Sequence, residues 1–206
     1  YKINSMNQWF IPNKVSSQKN LIVGNIPDSK LTLNPECYAV IFYKDKEMIL
    51  KNFLSKKTTR ESFSYISARY IKHPTYDYKI IGIFDKKNQL VAVCIGRDVS
   101  ANDRKAFRLT ELIMDKSSKQ DFKGAFDEFL YSNMYDYVDF LEFGFEEKLL
   151  KSFGFERCSE NLYVPHLFEP FAQDRKEVII AYKSEDLFFC TKGDSDLDRP
   201  NIIDNV

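Results

Sequence analysis

The sequence has no excess of either charge: its 206 residues carry 30 acidic and 30 basic side chains. With no overall field, bulk electrostatics gives no drive toward DNA, RNA or an anionic membrane, and only local basic patches are left for that purpose. Zinc chemistry also lacks its parts. The two histidines, His73 and His166, lie far in sequence from any of the four cysteines (Cys37, Cys94, Cys158, Cys190), and no C-x-x-C pair occurs. No apolar run approaches the ~20 residues needed to span a bilayer, and no secretory signal opens the chain. Scattered cysteines, with Cys94 inside the apolar run "LVAVCIG", fit reduced thiols and a cytoplasmic setting. The chain opens on Tyr1 rather than Met, and the expectation is that either an initiator or a longer N-terminal region precedes it. What is plentiful is aromatic: 18 Phe and 12 Tyr, which points to aromatic-rich strands. A single domain of this length buries roughly 70% of its unfolded surface and needs no staple.

Residues 1–35 are polar and aperiodic, with Pro12, Gly24, Pro27 and Pro35, and read as an irregular extension or linker with one short strand at Asn20–Val23. Residues 36–206 read as one domain. "CYAVIFYK" is a strand. "DKEMILKNFLSKK" is a helix capped by Asp45, with Met48, Leu50, Phe53 and Leu54 as its apolar stripe. A second helix begins at Thr58 or Thr59, turns Phe63, Ile66 and Tyr70 to one face, and stops at Pro74. "YDYKIIGIFD" and "QLVAVCIGRDV" flank "KKN" as a hairpin. "AFRLTELIMD", Ala106 to Asp115, is a strand with Phe107, Leu109 and Glu111 on one face and Arg108, Thr110 and Leu112 on the other. After the loop "KSSKQ" comes a helix capped by Asp121. The strand "YVDFLEFGF" and the short helix "EEKLLKSF", ended by Gly154, follow. Two long strands, about Glu156–Pro165 and Glu177–Thr191, close the chain. The order β-α-α-β-β-β-α-β-α-β-β makes a mixed, mostly antiparallel α/β sheet. Its one parallel crossover joins Ala106–Asp115 to Tyr137–Phe145 through a helix.

This element order, "LLKSFGF" after a strand, "ARYIKHPTYDYKIIGIFD" and "FFCTKGDSDLDRPN" resemble the GNAT (acyl-CoA N-acyltransferase) superfamily over about residues 36 to 192. The likeness extends to GNAT-like proteins of bacterial surface-polysaccharide clusters, some of which carry two tandem units. The resemblance implies flanking helices around a sheet whose central parallel pair splays. The pantetheine arm of an acyl-CoA, acetyl-CoA above all, enters that gap beside Leu112, Ile113 and Met114. The pyrophosphate then rests on the loop that follows, where free N–H groups and the helix dipole favour an anion. Lys116, Ser117, Ser118, Lys119, Lys123 and Gly124 are the implied contacts. Two departures from the family pattern stand out. "QDFKGA" has one residue too many before Gly124 for the usual Q/R-x-x-G-x-G/A loop, and Leu150 stands where many members carry a proton-donating Tyr.

Attack of an amine on a thioester needs a base and an acid. Glu111 on the central strand is the candidate base, with a solvent-facing strand residue as the alternative. Asp115, at the end of the same strand, reads as the cap of the next turn. Tyr131 and Tyr135 are candidate acids in place of Leu150, against a plain core role. Arg69 and His73, one helical turn apart, are paired as ligand contacts or as cations suited to a helix C-terminus. Tyr76 and Tyr78 form a candidate aromatic wall, and His166 sits in a loop with no clear assignment. The run "DSDLD" starts like an EF-hand, but Arg199 and Asn205 occupy the positions where Gly and Glu are needed. Asp194, Asp196, Asp198 and Arg199 are therefore read as an anchored segment of acceptor-side or structural role. The expected function is acyl transfer to an amino sugar or related surface-glycan precursor, with no metal, nucleic acid or membrane insertion, and the oligomeric state left open. The rival is a GNAT-fold module without that chemistry, either a binding or scaffolding unit or half of a tandem protein whose other half is catalytic.

Overall fold

The computed structural model describes residues 1–15, 21–26, 31–32, 34–42, 46–57, 59–101, 103–114, 121–165, 167–168, 171–172, 177–183 and 189–194. In chain order the elements are β1 (Lys2–Ser5), β2 (Asn7–Pro12), β3 (Cys37–Phe42), α1 (Glu47–Leu54), a 3-10 turn (Thr59–Glu61), α2 (Phe63–Ile66) running into a π turn (Ser67–Ile71), β4 (Lys79–Asp85), β5 (Leu90–Ala101), β6 (Arg104–Met114), α3 (Asp127–Ser132), β7 (Tyr137–Phe143), α4 (Glu147–Ser152), β8 (Glu156–Arg157), β9 (Leu167–Phe168), β10 (Phe171–Ala172), β11 (Ile179–Tyr182), β12 (Cys190–Thr191) and a 3-10 turn (Lys192–Asp194).

One sheet organises the chain, in the order β3-β4-β5-β6-β7-β2-β8, with β12 also on β7. Every neighbouring pair is antiparallel except β6 and β7, which run parallel as the crossover predicts. That parallel pairing covers Phe107–Leu109 against Val138–Phe140. Farther along β7, Glu142 faces Asn7 of β2 on one side and Thr191 of β12 on the other. β12 therefore lies on the β6 side of β7. On one face of the sheet α1, α2 and the π turn pack Leu50, Leu54, Ile66 and Tyr70 onto Ile80, Val93, Ile95 and Ile113. On the other, α3 and α4 bring Phe129, Leu130 and Leu150 onto Ile81, Cys94, Phe107, Leu109 and Phe140. No helix among the described residues is long and apolar enough to cross a membrane.

The N-terminal stretch differs most from the irregular extension expected of it. It carries β1 and β2, and β2 sits inside the sheet between β7 and β8. Trp9 and Ile11 enter one core cluster and Phe10 enters another, so both faces of β2 are buried, which drives it into a central position. The strand expected at Asn20–Val23 is an isolated bridge, Val23 to Tyr163.

Other boundaries shift. Met48 points to solvent at 64% exposure, so the stripe of α1 is Leu50 and Leu54 with Phe53 half-buried. Ser62, not Thr58 or Thr59, caps α2 by accepting the Tyr65 N–H at 3.2 Å. Asp121 makes a local turn by accepting the Lys123 N–H at 2.9 Å, and α3 begins only at Asp127. The first of the two long closing strands keeps only β8, and the second is described as β11 and β12. Gly154 does end α4: at φ +88 it takes the left-handed turn that closes a helix, and the N–H of Phe155 returns to Leu150 O at 3.2 Å.

Candidate functional site

A β-bulge on the central strand makes the site. Along β6 the register against β5 shifts between Ile95 and Gly96: Ile95 faces Glu111 whereas Gly96 faces Leu109, leaving Thr110 as the extra residue. Its hydroxyl donates to Ile95 O at 3.0 Å. An extra residue turns every later side chain to the opposite face. Leu112 thus joins Phe107 and Leu109 in one core cluster. Glu111, expected on the same face as Phe107 and Leu109, turns instead toward Tyr70.

Glu111 is 0% exposed there. Arg60, from the 3-10 turn before α2, donates Nη2 to Glu111 Oε1 at 2.6 Å. Its Nη1 pairs with Asp194 Oδ2, and its guanidinium lies 4.7 Å from the Phe189 ring centroid. The Tyr70 hydroxyl donates to Glu111 Oε2 at 3.3 Å. Asp194 also accepts the Thr191 N–H at 2.8 Å, and Arg69 Nη2 donates to the Gly193 carbonyl at 3.0 Å. Burial, against the pull of Arg60, pushes the Glu111 carboxyl up to about 8, and Asp194 adds to the rise. Burial and then Glu111 drive the Tyr70 phenol well above its usual range.

That carboxyl gives a pH prediction. Its folded pKa lies above its ordinary 4.5, so the folded state binds the extra proton and stability falls as pH rises from about 4.5 toward about 8. Glu111→Gln removes this slope. Urea unfolding of both proteins at about pH 5 and about pH 8 should show the variant gaining on the wild type, by up to about 1.4 kcal/mol per pH unit. A difference independent of pH would mean that Arg60 keeps the carboxyl ionised throughout.

Beside this group, on the same side of β6, Arg108 and Asp139 form a second ion pair. Nη2 meets Oδ2 at 2.9 Å and Nε meets Oδ1 at 3.3 Å, with the two side chains 3% and 2% exposed. Lys192, itself buried, acts on Asp139 with its positive charge.

The structure brings together some of the expected site residues and separates others. Glu111, Arg69 and Asp194 converge. His73 does not join them as a ligand contact: its Nδ1 accepts the N–H groups of Thr75 at 3.2 Å and Tyr76 at 2.9 Å, and so shapes the turn into β4. Tyr76 stacks on His73 and lies 4.0 Å from the Arg97 guanidinium, and Tyr78 meets Tyr70 edge-on.

Tyr131 and Tyr135 line a different depression of about 340 Å³, shared with Asn13, Arg104 and Asp136. There Tyr131 is exposed, while buried Tyr135 donates to Asp98 Oδ1 at 2.6 Å and receives the Lys79 ammonium at 3.0 Å. Leu112 and Ile113 are core residues, and the Met114 carbonyl accepts from Lys57 at 2.7 Å. Gly124 is buried against Thr32, and Lys123 stands at the exposed start of the turn. Asp115, Lys116, Ser117, Ser118, Lys119, His166, Asp196, Asp198 and Arg199 lie outside the described residues.

Arg60, Tyr70, Arg108, Asp139 and Lys192 were not anticipated. No local motif marks Arg60 among the chain's 30 basic side chains. For Arg108 and Asp139 a signal existed: a charge flanked by apolar residues inside a strand needs a partner on a neighbouring strand.

No family model matches the chain, and no curated protein matches it. Among solved structures, a functionally unknown conserved protein from Staphylococcus epidermidis aligns at TM-score 0.45 and 11% identity, covering 76% of this chain and 59% of that one. A GCN5-related N-acetyltransferase from Sphaerobacter thermophilus aligns at TM-score 0.39 and 11% identity, covering 80% of this chain and 51% of that one. The chain spans between half and three-fifths of these neighbours' length. Function has to be read from the site.

Proposed function

We propose that this chain is a GNAT-fold unit that acts as a binding or scaffolding module rather than by acyl-CoA chemistry. The observation that carries the reading is the segment Cys190–Gly193. β12 pairs with β7 on its β6 side, and Gly193 packs against the Thr110 carbonyl of β6. The chain itself thus fills the space between the two parallel strands, where the resemblance would seat a pantetheine arm.

Two further features support it. Among the described residues before α3, three amides are already taken: the Lys123 N–H goes to Asp121, Ala125 to Phe122 O and Asp127 to Gly124 O. The first turn of α3 also carries Asp127 and Glu128, a charge that repels an anion. Asp127 already takes the Lys14 ammonium at 2.9 Å and the Thr32 N–H at 3.1 Å. Leu150, at the acid's position, is buried and cannot donate a proton.

The second reading is an acyltransferase acting on an amino sugar or related surface-glycan precursor in the cytoplasm. Glu111 favours it: a carboxyl held near 8 beside the gap is tuned as a general base should be. Calorimetric titration with acetyl-CoA separates the two. No saturable heat up to about 1 mM ligand is the expected result. Binding tighter than that would overturn the module reading in favour of the enzyme.

A further inference from the structure

We infer that residues 190–194 form a detachable strap, a segment built to leave the space between β6 and β7 without unfolding the sheet beneath it. The first ground is how little ordered pairing holds it. Only Cys190 and Thr191 are in register with β7, opposite Phe143 and Glu142, and the turn Lys192–Asp194 follows at once. That is far less backbone pairing than β5 or β6 has, so the segment is held chiefly by the packing of its buried residues Cys190 to Gly193.

The second ground is charge balance. Seven acidic and basic side chains are gathered here: Arg60 with Glu111, Arg108 with Asp139, Lys192 and Asp194 on the strap itself, and Arg69 on the strap's Gly193 carbonyl. Seated, the strap gives Lys192 to Asp139 and Asp194 to Arg60. When it leaves, one positive and one negative charge leave together. With Asp194 gone, one of the charges that keeps Glu111 protonated goes too, so Glu111 ionises against Arg60, and Arg108–Asp139 remains a complete pair. No buried charge is orphaned, which is the usual penalty for pulling an ionic segment out of a sheet. An integral strand has no need of this arrangement.

The third ground is a fit that one methyl group would break. A Cβ on Gly193 would come 2.1 Å from Tyr70 Oη and 2.8 Å from the Thr110 carbonyl. Tyr70 is 1% exposed and the Thr110 carbonyl is backbone at the bulge, so neither side yields easily. Gly193 is therefore the handle: Gly193→Ala disfavours the seated strap while leaving every charge in place.

Cys190 supplies the readout. It is a free, buried thiol on the strap, and burial pushes it up to about 11, so the seated thiol is nearly inert. Cys94, in the middle of β5 and 0% exposed, reports opening of the sheet itself. Alkylation by N-ethylmaleimide, followed at each cysteine by peptide mass spectrometry on the full chain, is the test. Gly193→Ala should label Cys190 at least about ten-fold faster than the wild type with the Cys94 rate unchanged. In the wild type under increasing urea, Cys190 should label at lower denaturant than Cys94.

Cys190 and Cys94 accelerating together, a variant that does not fold, or coincident urea profiles would each overturn the strap. So would a Cys190 rate left unchanged by the variant. Acetyl-CoA titration stays an independent measurement. Binding to the wild type would defeat the module reading and leave the strap standing, and coincident labelling would do the reverse.

Discussion

Arg108→Met is expected to lower the unfolding free energy by about 3–5 kcal/mol, because it leaves a fully buried carboxylate without its main partner. Asp139 is 1% exposed, and Arg108 meets it through two nitrogens. Burial already pushes the Asp139 carboxyl up, with Arg108 first and Lys192 second among the charges that hold it down. Methionine keeps most of the length and volume of the arginine stem, so the measured loss reports charge rather than a cavity. Lys192 would remain near Asp139, but it sits on the strap, and its hold is only as strong as the strap's seating. The variant should therefore also slow Cys190 alkylation, because the unpaired carboxylate pulls on Lys192. Equilibrium unfolding in urea near neutral pH measures the first effect. A loss under about 1 kcal/mol would show that Asp139 is neutral in the native protein and that the pair is not ionic.

The parts of this architecture that were legible in the sequence are those set by local pattern. β4 and β5 are β-branched, apolar runs on either side of a short polar turn, and they meet at Asp85–Gln89, where Asn88 takes φ +59 as a tight turn requires. The parallel crossover from β6 to β7 follows from a strand, a helix and a strand in sequence. Glu111 and Asp194 stood out as charges attached to apolar strands, and the structure joins them through Arg60.

Two kinds of feature were out of reach. One is a single-residue irregularity: the bulge at Thr110 has no sequence mark, yet it decides which face Glu111 serves. The other is a contact distant along the chain. "NQWFIP" is a good short strand by composition, with Trp9, Phe10 and Ile11 in a row, but its partners lie more than a hundred residues away at Tyr137–Glu142. Polar neighbours and Pro12 hid it. A run buried on both faces does not alternate, so the period-two signal was absent as well.

That hidden strand gives the second large effect. Trp9→Ala should cost about 3–5 kcal/mol, the range for emptying a large buried aromatic site. Trp9 is 1% exposed and packs in the main core cluster. Its Nε1 donates to Glu142 Oε1 at 2.8 Å, one of three N–H groups that hold this buried carboxylate with Asn7 Nδ2 at 3.1 Å and Phe145 N at 3.0 Å. Trp9→Phe divides the cost. It keeps most of the ring volume and loses the hydrogen bond, so about 1.5–3 kcal/mol is expected from the charge-assisted bond alone. Far-UV circular dichroism in guanidinium reads both variants. In the wild type, Trp9 is the chain's one tryptophan, so its emission reports the docking of β2 specifically. Emission and dichroism should move together, because β2 lies between β7 and β8 and is buried on both faces. Emission that changes first would instead make residues 1–12 a separable arm, and the Trp9→Ala loss would then fall well below the buried-aromatic range.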